Sequence, residues 1–221
     1  MPPSLEDLLT PSQRDLFAGL STPVKIQAFL DDVPYSAEDA TGKDTVSNRC
    51  PVRVLQELQA HCLDGALFAA AALRRLGHPP LIVDLLPEPG TDDDHVLSVY
   101  RQDGCFGAVA KSNFSGLRFR EAIYRSLREL ALSYFEDFYN VHGLKTLRSY
   151  TRPMDLTAFD PICWEWRDEG TNAIELRLAQ LRPISLLTPQ MVVRLSPLDR
   201  RSYEAGMLGT NPAGLYKPRL S

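Results

Sequence analysis

His61-Cys62-Leu63-Asp64-Gly65-Ala66-Leu67-Phe68-Ala69-Ala70-Ala71-Ala72-Leu73-Arg74-Arg75-Leu76-Gly77 is apolar around its whole circumference from Ala66 to Leu73. A helix without a polar face belongs inside a protein. Arg74 and Arg75 suit the negative end of its dipole, Gly77 suits the left-handed residue after its last turn, and Pro79 and Pro80 stop it from continuing. Cys62 opens the helix, where unpaired N–H groups and the dipole favour thiolate over thiol. That makes it a candidate nucleophile, although a lone cysteine in an apolar helix is also an ordinary packing residue. A nucleophilic cysteine needs a base. His95 supplies one, at the head of the alternating segment His95-Val96-Leu97-Ser98-Val99-Tyr100-Arg101, a strand expected to lie beside the helix and present its imidazole to the sulfur.

On the N-terminal side, Pro51 begins a helical pattern in Val54, Leu55 and Leu58, with a bend expected near Ala60-His61, where the one-sided pattern becomes apolar all round. Thr10-Pro11 and Thr22-Pro23 read as the starts of two short helices, an N-terminal cover, and Tyr35 to Asn48 reads as a polar loop. On the C-terminal side, Leu81-Ile82-Val83-Asp84-Leu85-Leu86 is a buried strand and Pro87 to Asp94 an acidic loop. Segments 95–101 and 105–111 form a hairpin around Gln102-Asp103-Gly104. Residues 120–139 read as one amphipathic helix, from the spacing of Ile123, Leu127, Leu130, Tyr134, Phe135 and Phe138. Strands are expected at Lys145–Thr151 and Cys163–Arg167, where Trp164 and Trp166 read as core or cleft wall. Helices are expected near Asn172–Leu181 and from Ser196-Pro197. The organisation is thus a cover and loop over 1–49, an α+β domain over 50–210, and an irregular tail over 211–221.

The chain has 221 residues, 44% of them hydrophobic and 24% charged, which describes a globular protein with one good core. A net charge of −4 gives no general attraction to nucleic acid or to an anionic membrane. The start, Met1-Pro2-Pro3-Ser4-Leu5-Glu6-Asp7, has no secretory pattern, and no apolar run reaches the ~18 residues of a membrane span, so a cytoplasmic protein is expected. Cys50, Cys62, Cys105 and Cys163 form no CxxC pair, and His61, Cys62, His78 and His95 have no recognised zinc spacing. Asp92-Asp93-Asp94 lacks the spacing of a calcium loop and reads as a solvated acidic turn, and Asp64 as a favourable first-turn acid. No metal or cofactor is expected.

Cys62 at the head of a buried helix, Gly77-His78-Pro79, the strand Leu81-Ile82-Val83-Asp84, His95-Val96-Leu97-Ser98-Val99-Tyr100 and then Gly104-Cys105-Phe106 resemble the transglutaminase-like superfamily, whose core is papain-like. The resemblance covers residues 50–115. It implies an α+β fold with the cysteine helix packed on an antiparallel sheet. It further implies a thiolate that attacks an amide carbonyl, a histidine that shuttles protons, and an acceptor on the next strand that orients the histidine. The first two roles fall on Cys62 and His95. The superfamily aspartate is expected near 110–111, where this chain has Ala110-Lys111-Ser112-Asn113.

A hairpin closing about Asp103 sets His95 opposite Lys111, with Asn113 its diagonal neighbour; a one-residue bulge selects Ser112 instead. Asn113 has the carbonyl needed to hold an imidazole N–H, and Cys-His-Asn is a workable triad. Two functions follow. One is cysteine-dependent acyl transfer or hydrolysis on a peptide-like amide, through Cys62, His95 and Asn113, with a peptide or protein as substrate. The alternative is a catalytically inactive relative acting as a binding or scaffold module, favoured by the missing aspartate and by Lys111, whose charge opposes an imidazolium beside it.

Overall fold

A computed structural model describes residues 5–36 and 48–218; most of the loop expected from Tyr35 to Asn48 and the end of the tail lie outside the described residues. Helices α1 (Pro11–Gly19) and α2 (Pro23–Asp32) begin as their Thr-Pro pairs require: Thr10 and Thr22 accept the backbone N–H groups of Gln13 and Lys25, and proline occupies the first turn. The segment from Pro51 is broken rather than bent. α3 (Pro51–Glu57) stops at Leu58, which adopts left-handed backbone with φ 49°, and α4 (Cys62–Arg75) starts afresh with His61 as its N-cap. Every residue of α4 from Cys62 to Leu73 is buried. It ends in the expected left-handed cap: Gly77 has φ +90°, its N–H reaches Arg74 O, and the N–H of His78 reaches Leu73 O.

α4 lies on an antiparallel sheet. Its strands are β1 (Leu81–Pro87), β2 (His95–Gln102), β3 (Cys105–Val109), β4 (Arg120–Tyr124), β5 (Leu147–Tyr150), β6 (Met154–Asp155) and β7 (Ile184–Ser185). They are ordered β4-β3-β2-β1-β5-β7, with β6 also pairing β1. Two buried clusters share the sheet between them. Ile82, Val96, Tyr100 and Val109 pack with α4, α2 and α3; Val83, Leu85, Leu97, Val99 and Ala108 pack with Leu130, Tyr134 and Phe138 on the other face. The fold is α+β, with a buried helix that begins at a cysteine packed on an antiparallel sheet. Among the described residues no helix is long and apolar enough to cross a membrane.

The β2–β3 hairpin closes one residue away from the expected register. Gln102 pairs with Cys105 and Ser98 with Val109, so the turn is the two residues Asp103 and Gly104, with φ 51° and +81°. Two successive positive φ values are what a twist-compatible two-residue hairpin needs. A shift of one residue exchanges the faces of a strand. Lys111 therefore turns toward α4, where an ideal Cβ on Gly65 would stand 2.2 Å from Lys111 Cβ, and does not sit beside His95.

Residues 120–139 are not one helix. β4 pairs with β3, Ser126 then accepts the Glu129 N–H and starts α5 (Leu127–Leu132), and a short turn follows at Phe135–Asp137. The apolar spacing from Leu127 onward does serve the core, whereas Ile123 is exposed. The Cys163–Arg167 segment is likewise not a strand. The N–H groups of Trp166 and Arg167 both bond to Cys163 O, so the Trp164/Trp166 alternation arises in a turn, with Trp164 buried. The remaining helices are α6 (Asp168–Leu178), α7 (Pro189–Val193) and α8 (Arg200–Gly206), the last capped by Asp199 rather than started at Ser196-Pro197.

Candidate active site

Asp64 holds the start of α4. Its Oδ2 accepts the His61 N–H at 3.0 Å and its Oδ1 accepts the Arg49 N–H at 2.8 Å, so one buried carboxylate ties the incoming strand of chain to the first helical turn. With His61 and Cys62 so fixed, Cys62 Sγ lies 3.3 Å from His61 Nδ1, and His61 Nε2 lies 3.9 Å from Asp93 Oδ2. The imidazole leans on the ring of Tyr35, with centroids 5.2 Å apart. The sulfur also accepts the backbone N–H of Val96.

This group borders a cavity of about 440 Å³ between the head of α4, the β1–β2 connection and α6, lined by His61, Cys62, Asp84, Asp93, Asp94 and Glu175 among others. Asp84 projects from β1 on the α4 face. It is 2% exposed, receives the His95 backbone N–H, and leaves Oδ1 with no hydrogen-bond partner. Glu175 is held from α6 by Asn48 Nδ2 at 2.7 Å. Burial, and then the charges of Asp94 and Asp93, push the Cys62 thiol well above the usual thiol range, with the Val96 N–H working against them. Burial and the same two aspartates push Asp84 well above the ordinary carboxylate range.

The other expected residues stand elsewhere. His95 is on the α5 face with Leu97 and Val99; its Nε2 donates to Leu117 O at 2.7 Å, and burial pulls its pKa down to about 4. Asn113 exchanges two hydrogen bonds with Asn211, its Nδ2 donating to Asn211 O at 2.9 Å and its Oδ1 accepting the Asn211 N–H at 2.8 Å. Ser112 Oγ accepts the Phe114 N–H. Lys111 is buried with its ammonium donating to Leu30 O at 2.8 Å and to Val33 O, where it caps α2. The structure thus gathers Cys62, His61, Asp93 and Asp84, and does not gather Cys62, His95 and Asn113. Asp92 faces away, accepting the Thr146 hydroxyl at 2.7 Å. Among the described residues no three His, Cys, Asp or Glu side chains are grouped to hold a metal ion. In the sequence His61 is read only against a zinc site and the base is read as His95; the contact of His61 with Cys62 comes from the structure. Asp84 was legible as the one acid in an otherwise apolar strand, a position at which a carboxylate needs a reason.

No protein-family model matches the chain, and no curated protein matches it. Among solved structures it is similar to Legionella pneumophila LapG. With the EGTA-treated form it shares 15% identity at a TM-score of 0.37, over 49% of this chain and 66% of that one. With a second structure of Legionella pneumophila LapG it shares 14% identity at a TM-score of 0.36, over 59% of this chain and 92% of that one. The chain therefore spans just under two thirds of the first and most of the second. This is a weak link at the level of the fold, and no residue role is transferred along it.

Proposed function

We propose that the chain carries out cysteine-dependent acyl transfer or hydrolysis on a peptide-like amide, with Cys62 as nucleophile and His61 as its proton acceptor. The supporting observation is the 3.3 Å approach of His61 Nδ1 to Cys62 Sγ beside a cavity at the head of a buried helix. Nδ1 takes the thiol proton as Sγ bonds to the carbonyl carbon, and Asp93, facing Nε2, stabilises the imidazolium. The first turn of α4 supplies backbone N–H groups for the oxyanion. The C–N bond breaks as His61 returns the proton to the leaving amine, and a thioester remains. Water or an amine then attacks, giving its proton to His61; the C–S bond breaks and the proton returns to sulfur. His61 replaces His95 in this scheme because the His95 ring is committed to Leu117 O, and Asn113 has no part because both ends of its amide are bonded to Asn211.

A binding module that keeps the cavity without the chemistry is favoured by one observation, the burial and raised pKa of the Cys62 thiol. Alkylation by iodoacetamide, followed residue by residue across neutral and alkaline pH, separates the two. Cys50 is an internal control, a buried thiol pushed up to about 12. For the enzyme, Cys62 reacts at least about tenfold faster than Cys50, and His61→Ala removes that advantage while leaving Cys105 unchanged. If Cys62 in the folded parent is as slow as Cys50, the acyl-transfer reading is lost and the binding module stands.

A further inference from the structure

We infer that the cavity beside Cys62 binds a positively charged group of the substrate, an alkylammonium or alkylguanidinium, with Asp84 at its floor and Asp93 and Asp94 at its rim. Its identity as a substrate group rests on the acyl-transfer reading; the cation site itself does not. The decisive observation is Asp84. A carboxylate that is 2% exposed and has one oxygen without any partner carries a desolvation cost that protein structures rarely leave standing. Asp84 lines a cavity of about 440 Å³, roomy enough for a lysine- or arginine-like head and stem. Three further carboxylates line the same space, and Glu175 is kept there by Asn48.

The lining residues give this space a strongly negative character. The donor set suits an organic cation, because its acids are dispersed over the floor, rim and far wall instead of being grouped closely enough for one metal ion. A guanidinium spreads its N–H donors over a planar fork and reaches several carboxylates at once. Binding has a consequence for the nucleophile. The charges of Asp94 and Asp93, and that of Asp84 when it is ionised, hold the Cys62 proton in place, and a cation among them cancels that field, so the thiol becomes easier to ionise when the matching substrate is bound. Selectivity and activation then come from one contact.

The test uses the full chain and n-butylguanidinium, with n-butylurea as its neutral isostere, measured by calorimetry or by shifts of backbone NMR signals. The guanidinium is expected to bind and the urea to bind at least about tenfold more weakly. Asp84→Asn, whose fold is checked by its melting curve, is expected to weaken the guanidinium about tenfold; Asp94→Asn at the rim is the second variant should Asp84→Asn fail to fold, with a loss of several-fold. Equal affinity for urea and guanidinium overturns the inference, as does parent-like affinity in the folded variants. Calcium ion that displaces the guanidinium at equal or lower concentration overturns it in favour of a metal site. Cys62 alkylation is read in the same samples. Selective guanidinium binding with an inert Cys62 leaves the cation site standing and removes the acyl-transfer reading, whereas a reactive Cys62 without selective binding removes the cation site alone.

Discussion

His95 is buried as a neutral imidazole that donates to the Leu117 carbonyl, and this ties its ionisation to the stability of the fold. Its folded pKa is lowered to about 4, whereas an unfolded histidine titrates near ~6.5. Above ~6.5 neither state is protonated and the contribution is complete; below it the unfolded chain takes up a proton that the folded chain refuses, so stability falls as pH drops toward 4. Over that window the loss amounts to roughly 3 kcal/mol. Asp92, raised to about 6, and Asp84, raised by burial, act in the opposite sense, because the folded chain holds their protons more tightly. Total stability is therefore a poor readout, and the difference between the parent and His95→Gln is the useful one. Denaturant titrations at stepped pH should show the parent losing stability relative to the variant on acidification through this window. Parallel pH profiles would show that His95 is not held neutral in the fold.

At the scale of elements, the approach of α4 to the segment after β3 is set by a missing side chain. Gly65 lies under Lys111, and a methyl group added there meets Lys111 Cβ at 2.2 Å. Gly65→Ala should gain helix propensity, worth about 1 kcal/mol, and lose more to overpacking, about 1–3 kcal/mol, because Lys111 is anchored at its far end to Leu30 O and Val33 O and has little room to retreat. A denaturation midpoint at or above that of the parent would refute the close contact. The same elements show where the sequence was informative. All-round apolarity at Ala66–Leu73, the Thr-Pro starts of α1 and α2, and Gly77 after α4 are local signals, and the structure carries each of them. The facing of β2 and β3 is not local. It depends on whether the turn holds two residues or three, and that one residue decides whether Lys111 meets His95 or Gly65. The helix expected over 120–139 failed for a related reason: apolar spacing ran through Ser126, whose capping bond begins α5 after an edge strand. The proposed base was hidden by adjacency. Neighbouring residues on a helix interior diverge, but His61 is an N-cap in extended backbone and so turns its ring back to Cys62.

Across the whole molecule, chain segments far apart in sequence meet near the end of the sheet where the β1–β2 connection and the site lie. Gln27 of α2 completes the ladder beyond β3, its amide exchanging two hydrogen bonds of 3.0 Å with Ala110, so the N-terminal cover is bonded to the sheet as well as packed on α4. The C-terminal segment returns to the chain after β3. Asn211 is clasped by Asn113, its side chain reaches Tyr35 O at 3.4 Å, and Tyr35 in turn supports the His61 ring. The tail is thus linked to the proposed base through one tyrosine. Asn113→Ala removes both bonds of the clasp, and because the pair is only partly buried the cost should be near the lower end for hydrogen bonds, about 1 kcal/mol. The loss should be local. Hydrogen exchange at the Asn211 amide should quicken about fivefold, as a change of this size in a local opening free energy requires, while the amides of α4 keep the protection of the parent. If Tyr35 transmits the tail to the site, Cys62 alkylation in Asn113→Ala should also change, without any change at Cys50, the buried N-cap of α3. Unaltered exchange at Asn211 would show that the clasp does not hold the tail. Quickened exchange with unaltered Cys62 chemistry would show that the tail is held but that His61 is positioned by Asp64 and the helix start alone.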